Sequence, residues 1–342
     1  MSTPGVEKCL GLSVKYNNIG IATILLPYNI NTNCRNMDGW LLEMNEHQRE
    51  IIEKQYLNAK SYSAKIKILF DNHPKGRVSP EPIKHLDDYF KCIRLTTTDS
   101  SWFRGQSKEF KSLIPKIYRN ANTEDIRKIL SKERQFFLEF RRRAKSVITS
   151  IPDGDFWSWY FLIQHYGGLT RLLDWTSNAG VALFMALDSD RDSKDNPIVY
   201  ILSPTVLKNY AYNDLGMASE VASSVLYPGE SITNTWITNI TEENFDLPNS
   251  PIALLPAYSD ARIIAQKSCF TLFGKQIDGF VKDNKEILCP CCDGKIIHRI
   301  IIDGDNKEML RKELSKIGIT SETVYPGLEG INKNLCQEIY GR

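Results

Sequence analysis

The 342-residue chain lacks several features that would assign it to a class at once. It has no large excess of either charge: 43 Lys and Arg stand against 41 Asp and Glu, a net of +2, which argues against a dedicated nucleic-acid coat or an acidic-lipid binder. No apolar run reaches the roughly 18 residues needed to cross a bilayer. The opening "MSTPGVEKCLGLSVKYNN" has neither the basic region nor the apolar stretch of a secretory leader. There is no internal repeat and no low-complexity tract. The eight cysteines form no regular framework, and without an export signal they read as reduced thiols of a cytoplasmic protein. A Cys-x-x-Cys pair, Cys289 and Cys292 in "LCPCCDG", has no second pair to close a zinc site. Cys269 and His298 are the only companions to suggest, so the expectation is no bound metal. No motif gathers carboxylates for a metal-dependent nuclease.

What is present divides the chain in two. Residues 1–80 read as an N-terminal appendage that engages a partner, with an apolar β-prone run "IGIATILLPYNI" and a helical stretch around Ile51–Leu57. The Pro- and Gly-rich "DNHPKGRVSPEP", residues 71–82, reads as the linker. From 83 to 330 a single domain is expected, with 331–342 as a tail. Helices are predicted over "IKHLDDYFKCIRL", over "TEDIRKILSKERQFFLEFRRRAKSV" capped by Thr123, over "FWSWYFLIQHY", from Asn178 onward, and over "DNKEMLRKELSKIG" between Asp305 and Gly318. Strands are predicted at "SWFRGQ", "PIVYILS", "TWITNI", "CFTLF" and "KIIHRIIID", the last as a central strand because both faces are apolar. Helices first and strands later, without strict alternation, give an α+β fold: a mixed or antiparallel β core with helices packed on it.

Three stretches carry candidate chemistry. In "SWFRGQ", Arg104 stands between Phe103 and Gly105, where a rigid fork of five donors suits phosphate or carboxylate. Glu133, on the apolar stripe of its helix, is a candidate to orient it. "QHYGGLTRLLDWTSNAGVALF" crowds Gln164, His165, Arg171, Asp174, Thr176 and Ser177 between apolar helices; Asp174 is either a general base or the carboxylate that pins Arg171. In "ARIIAQKSCFTLFG", Arg262 and Gln266 share one face if the segment is extended. The basic run "FRRRAK", residues 140–145, reads as a solvated helix end or a contact for phosphate or RNA.

"WFRGQ" with "LIPKIYRN", then "QHYGGLTRLLDWTSNAGVALFMAL", then "ARIIAQKSCFTLFG", resembles the FRG domain family, over about residues 83–330. The sequence departs from the family pattern ahead of Thr170, where a proline is usual, and near Cys269, where a glycine is common. More distantly, the order of "WFRG", "DWTSNAGVALF" and "RIIAQ" is similar to the ADP-ribosyltransferase superfamily. That likeness implies NAD as ligand, with Arg104 on its phosphates or ribose and Thr176 and Ser177 near nicotinamide. Gln266 would then stand at the place of the catalytic glutamate, and Glu133 or Asp174 would supply the missing charge. The functions to be weighed are therefore an NAD-linked ADP-ribosyltransferase or NAD glycohydrolase, acting as a bacterial toxin or anti-phage effector; a non-catalytic module that senses a nucleotide, nucleic acid or protein partner; and, less well supported, a nuclease.

Overall fold

The computed structural model describes residues 81–340 except 98–99, 111–112, 120, 122–124, 192, 218–224, 258–259, 278–279, 283–284 and 287–295, together with scattered positions between 51 and 64. The expectations for the apolar run near residue 20, the linker, Thr123, Cys289 and Cys292 lie outside the described residues.

The chain enters through helix α1 (Leu86–Thr96) and strand β1 (Trp102–Gln106), then a 3-10 turn at Lys116–Tyr118. Helices α2 (Ile126–Ala144) and α3 (Phe156–His165) precede β2 (Leu172–Thr176), α4 (Ala179–Asp188), β3 (Ile198–Leu202) and α5 (Pro204–Asp214). Short α6 (Ser231–Asn234) and α7 (Thr238–Thr241) flank a 3-10 turn, followed by β4 (Ile252–Leu254), α8 (Ala261–Ala265) and β5 (Ser268–Leu272). A small ribbon, β6 (Val281–Lys282) and β7 (Lys285–Glu286), leads to β8 (Ile297–Ile301), α9 (Lys307–Lys316), α10 (Ser321–Val324) and α11 (Leu328–Tyr340). The fold is α+β. Six antiparallel strands form one sheet in the order β4-β5-β2-β1-β3-β8.

Strand alternation assigns two faces. Phe103, Val199, Ile201 and Ile300 face α1, α4 and α9, while Phe270, Leu272, Ile252 and Leu254 on the same side pack with α2 and α3. Trp102, Trp175, Ile198 and Tyr200 occupy the other face, with Tyr118 and Phe280. Gly105 explains the third letter of its motif: a Cβ there would lie 1.9 Å from the carbonyl O of Ala182 and 2.6 Å from N of Ala186. The absent side chain lets the small-residue face of α4 rest directly on β1. Helix α4 starts where expected, with the Asn178 side chain accepting from Gly180 N at 2.9 Å and Val181 N at 3.3 Å. Asp155 caps α3 in the same way, accepting from Ser158 N at 3.0 Å.

Five expectations are corrected. "TWITNI" is helical, because Trp236 is fully buried, donates to Ser250 O at 2.8 Å and offers its carbonyl to Arg171; tertiary contacts override a β-prone composition. β8 is an edge strand rather than a central one. It is apolar on both faces because both cores reach it, and Ile83 covers part of its edge, donating to Ile301 O and accepting from Asp303 N, each at 2.8 Å. Arg262 lies in helix α8, which Asp260 caps, and Gln266 closes that helix, so the two do not share a strand face. Asp303, not Asp305, provides the side-chain cap before α9, on the 3-10 turn Gly304–Asn306. Residues 331–340 continue helix α11 and are not a tail.

Candidate functional site

Two arginine–carboxylate pairs stand within this frame. The first is sealed. Arg171, at the start of β2, has no exposed surface. Its Nε donates to Glu133 Oε2 at 2.7 Å, Nη1 to Phe273 O at 2.6 Å, and Nη2 to Trp236 O at 2.7 Å and Asn239 Oδ1 at 3.0 Å. Glu133 also accepts from Tyr160 Oη at 2.5 Å and Asn239 Nδ2 at 2.9 Å. Burial, the largest single influence, lowers the Arg171 pKa, but the charge and hydrogen bond of Glu133 together with Tyr160 and Tyr118 outweigh it, and the group is held above its ordinary value. Burial raises the Tyr160 phenol well above its own. Every polar atom named here has a partner, as a buried ionic cluster requires. Glu133 therefore orients Arg171, not Arg104, and neither residue is placed to touch a ligand. The expectations of a catalytic Glu133, a ligand-binding Arg171 and an Asp174 that pins Arg171 are all corrected by this geometry.

The second pair is open. β1 and β2 are registered at a single position, Phe103 opposite Thr176. Toward Gln106 the two strands part, and the Arg104 guanidinium fills the gap. Nη1 donates to the Asp174 carbonyl, exposed by the parting, at 2.6 Å and lies 3.9 Å from the Asp174 carboxylate. The Arg104 side chain is 17% exposed and that of Asp174 58%. Arg104 Nε and the neighbouring Gln106 Oε1 have no hydrogen-bond partner among the described residues. Burial lowers the Arg104 pKa from its ordinary value; the Asp174 carboxylate opposes that shift and the nearby Arg119 charge adds to it. Asp174 is positioned from its far side by Gln164, whose Nε2 donates to both carboxylate oxygens at 3.0 and 3.1 Å. Thr170 Oγ1 in turn donates to Gln164 Oε1, which fixes the amide the right way round. The result is a partly desolvated guanidinium with spare donor capacity beside an oriented, solvent-facing carboxylate. Such a pair suits an anion that also carries hydroxyl groups.

Residues 99–195 match the FRG domain family model. The chain contains an FRG domain. No curated protein and no solved structure gives a match to it. The matched part of the FRG domain holds both arginine pairs, whereas Arg262 and Gln266 lie beyond it.

The remaining candidates fall around the same strands with different fates. Thr176 is buried and donates to Gln266 O at 2.6 Å, while Gln266 Nε2 donates to Val324 O at 3.1 Å. The first contact ties β2 to the α8–β5 junction and the second ties that junction to the end of α10; both side chains turn inward, so neither lines a shared cavity with Arg104. Ser177 is exposed at the start of α4. His165 Nδ1 lies 3.3 Å from Asp260 Oδ2, tying the end of α3 to the cap of α8. Arg262 is exposed, its guanidinium 5.4 Å from the Tyr325 ring centre. Cys269 and His298 cannot complete a zinc site: they occupy opposite faces of the sheet on strands four places apart, about 19 Å at the usual strand spacing. No helix of the described residues is long and apolar enough to cross a membrane. Gln106, Arg119 and Thr170 were missed by sequence reasoning. All three stand inside the quoted "WFRGQ", "LIPKIYRN" and "QHYGGLTRLLDWTSNAGVALF" stretches, but only contacts single them out.

Proposed function

We propose that the FRG domain binds a nucleotide of the NAD class at the Arg104–Asp174 gap and acts on its nicotinamide–ribose bond, as an NAD glycohydrolase or an ADP-ribosyltransferase. Arg104 takes phosphate oxygens through its free donors. Asp174 faces the ribose, the charge that neither Gln266 nor the sealed Glu133 supplies. Cleavage moves the bonding pair onto the ring nitrogen and releases neutral nicotinamide, leaving positive charge on the ribose. A fixed carboxylate stabilises that charge until water or an acceptor hydroxyl adds. The observation that carries this reading is an Arg104 side chain 17% exposed, with a shielded Nε that has no partner among the described residues, beside a carboxylate held in place by Gln164 yet open to solvent. A role as a bacterial toxin or anti-phage effector follows from the family resemblance alone.

Purified protein incubated with NAD tests the reading through released nicotinamide. Turnover should appear, and Arg104→Ala should abolish it with the circular-dichroism spectrum unchanged. Turnover that survives Arg104→Ala sinks the assignment of the pocket.

The second reading is a non-catalytic module that senses a nucleotide or a partner. The inward-turned Thr176 and Gln266 favour it, because they leave the gap fewer groups for chemistry. It expects NAD or ADP-ribose to raise the melting temperature with no nicotinamide released.

A further inference from the structure

A cleft of about 720 Å³ lies between α2, the Lys116–Tyr118 turn and the loop that ends at Thr170. Lys116, Arg119, Lys128 and Lys132 line it against one carboxylate, Asp125, with Ile117, Ile129 and Leu169 between them. Among the described residues no carboxylate pairs with Lys116, Arg119 or Lys132. Lys132 also borders a second hollow of about 510 Å³, which runs on along α2 past Gln135, Phe136, Leu138 and Arg142. Phe136 is 40% exposed, and a Cβ on Gly168 would meet its ring at 3.1 Å, so the ring stands against the same loop. Across both hollows, five cations face two carboxylates, Asp125 and Glu139. Large apolar side chains with open faces alternate with the charges.

The stripe reaches the site already described from two sides. Arg119 on its lip is close enough to Arg104 for their charges to interact. Leu169 precedes Thr170, the residue that orients Gln164 on Asp174. From Lys128 to Arg142 the helix rises about 21 Å. At about 3.4 Å per stacked nucleotide, that length matches roughly six nucleotides and exceeds what one mononucleotide needs.

We propose that this stripe seats a single-stranded nucleic acid, its phosphates on Lys116, Arg119, Lys128 and Lys132 and its bases against Leu169 and Phe136. The strand then passes the mouth of the Arg104–Asp174 gap. Cations along a groove with aromatic or aliphatic platforms are the general chemistry for binding single strands irrespective of sequence. A dimly basic helix face alone would offer charge without platforms.

Fluorescence anisotropy of full-length protein with labelled 12-nucleotide RNA and DNA tests this at 50 and 200 mM salt. Binding of either strand that weakens with salt is expected, and the better of the two identifies the sugar. Lys132→Glu should weaken it at least tenfold and flatten the plot of log affinity against log salt by about 0.7 per phosphate lost. Phe136→Ala should weaken it about tenfold without changing that slope. Lys312→Glu, on α9, serves as the control for net charge. The proposal is overturned if no strand binds at 50 mM salt, if Lys312→Glu weakens binding as much as Lys132→Glu, or if polyglutamate competes as well as nucleic acid. Nicotinamide release, read in parallel with Arg104→Ala, reports on the other reading. The groove fails by losing strand binding while NAD turnover persists, and the NAD reading fails by the reverse.

Discussion

Arg171–Glu133 and Arg104–Asp174 are the same chemical pair in opposite settings. In the first, the closest approach is 2.7 Å, both side chains are out of water, and backbone carbonyls and Asn239 take the remaining donors. In the second, the carboxylate stands 3.9 Å away and faces solvent while one guanidinium nitrogen has no partner among the described residues. Full satisfaction leaves a buried arginine nothing to offer a ligand; it joins α2, α3, β2 and the loop after β5 into one body. Incomplete satisfaction is what a binding site needs before its ligand arrives. The contrast sets a sealed Arg171 against an Arg104 with capacity to spare, the one to which the proposed function is assigned, although both lie in the matched FRG segment.

The contrast is sharpest under truncation. Glu133→Ala leaves Arg171 charged and buried, so folding stability should fall by about 3–5 kcal/mol, read by urea unfolding. Asp174→Asn should leave unfolding within about 0.5 kcal/mol of the parent, as for a surface change. Its expected cost is instead about 10²–10³ in the rate of nicotinamide release, the size of one lost electrostatic contact to a transition state. If Asp174→Asn destabilises as Glu133→Ala does, or turns over at the parent rate, the two pairs are not different in kind.

Gly105→Ala probes the scaffold that holds Arg104 in the gap. The new methyl meets α4 backbone rather than a flexible side chain, so helix and strand must separate. About 1–3 kcal/mol of stability should be lost, with Arg104 displaced as β1 shifts. A melting temperature equal to the parent's would show that the close approach of α4 to β1 is not needed.

How far the sequence revealed these sites depended on the kind of signal. Periodicity located α2, an apolar run stopped by Gly167 and Gly168 located α3, and small residues behind a polar cap at Asn178 located α4; all are short-range features a chain displays openly. The α+β class followed from element order. "TWITNI" misled because its β-branched composition is local, whereas the burial of Trp236 and its carbonyl contact with Arg171 come from 65 residues away. The Arg104–Glu133 pairing misled for a similar reason. Two arginines, at 104 and 171, competed for one buried carboxylate, and nothing in the spacing told which would reach it. Asp174 was visible as a polar residue in an apolar stretch, but its openness depends on the parting of β1 from β2. That is a property of the sheet and not of either strand.

The smallest effect expected lies one step out from the open pair, at Gln164. Its amide holds both oxygens of Asp174, and Thr170 sets which end of the amide faces them. Gln164→Ala frees the carboxylate to swing toward Arg104, which would close the open pair into something nearer the sealed one. Nicotinamide release should fall about tenfold, mostly in kcat, since the phosphate contacts of Arg104 remain. Gln164→Glu separates positioning from simple loss of contacts. It sets a second carboxylate against the first, and like charges at that distance make one of them hold a proton at a higher pH. Activity in that variant should therefore fall more steeply than the parent's as the pH is lowered. Turnover in Gln164→Ala equal to the parent's would mean that the orientation of Asp174 takes no part in the reaction, and the open pair would then be a grip for anions only.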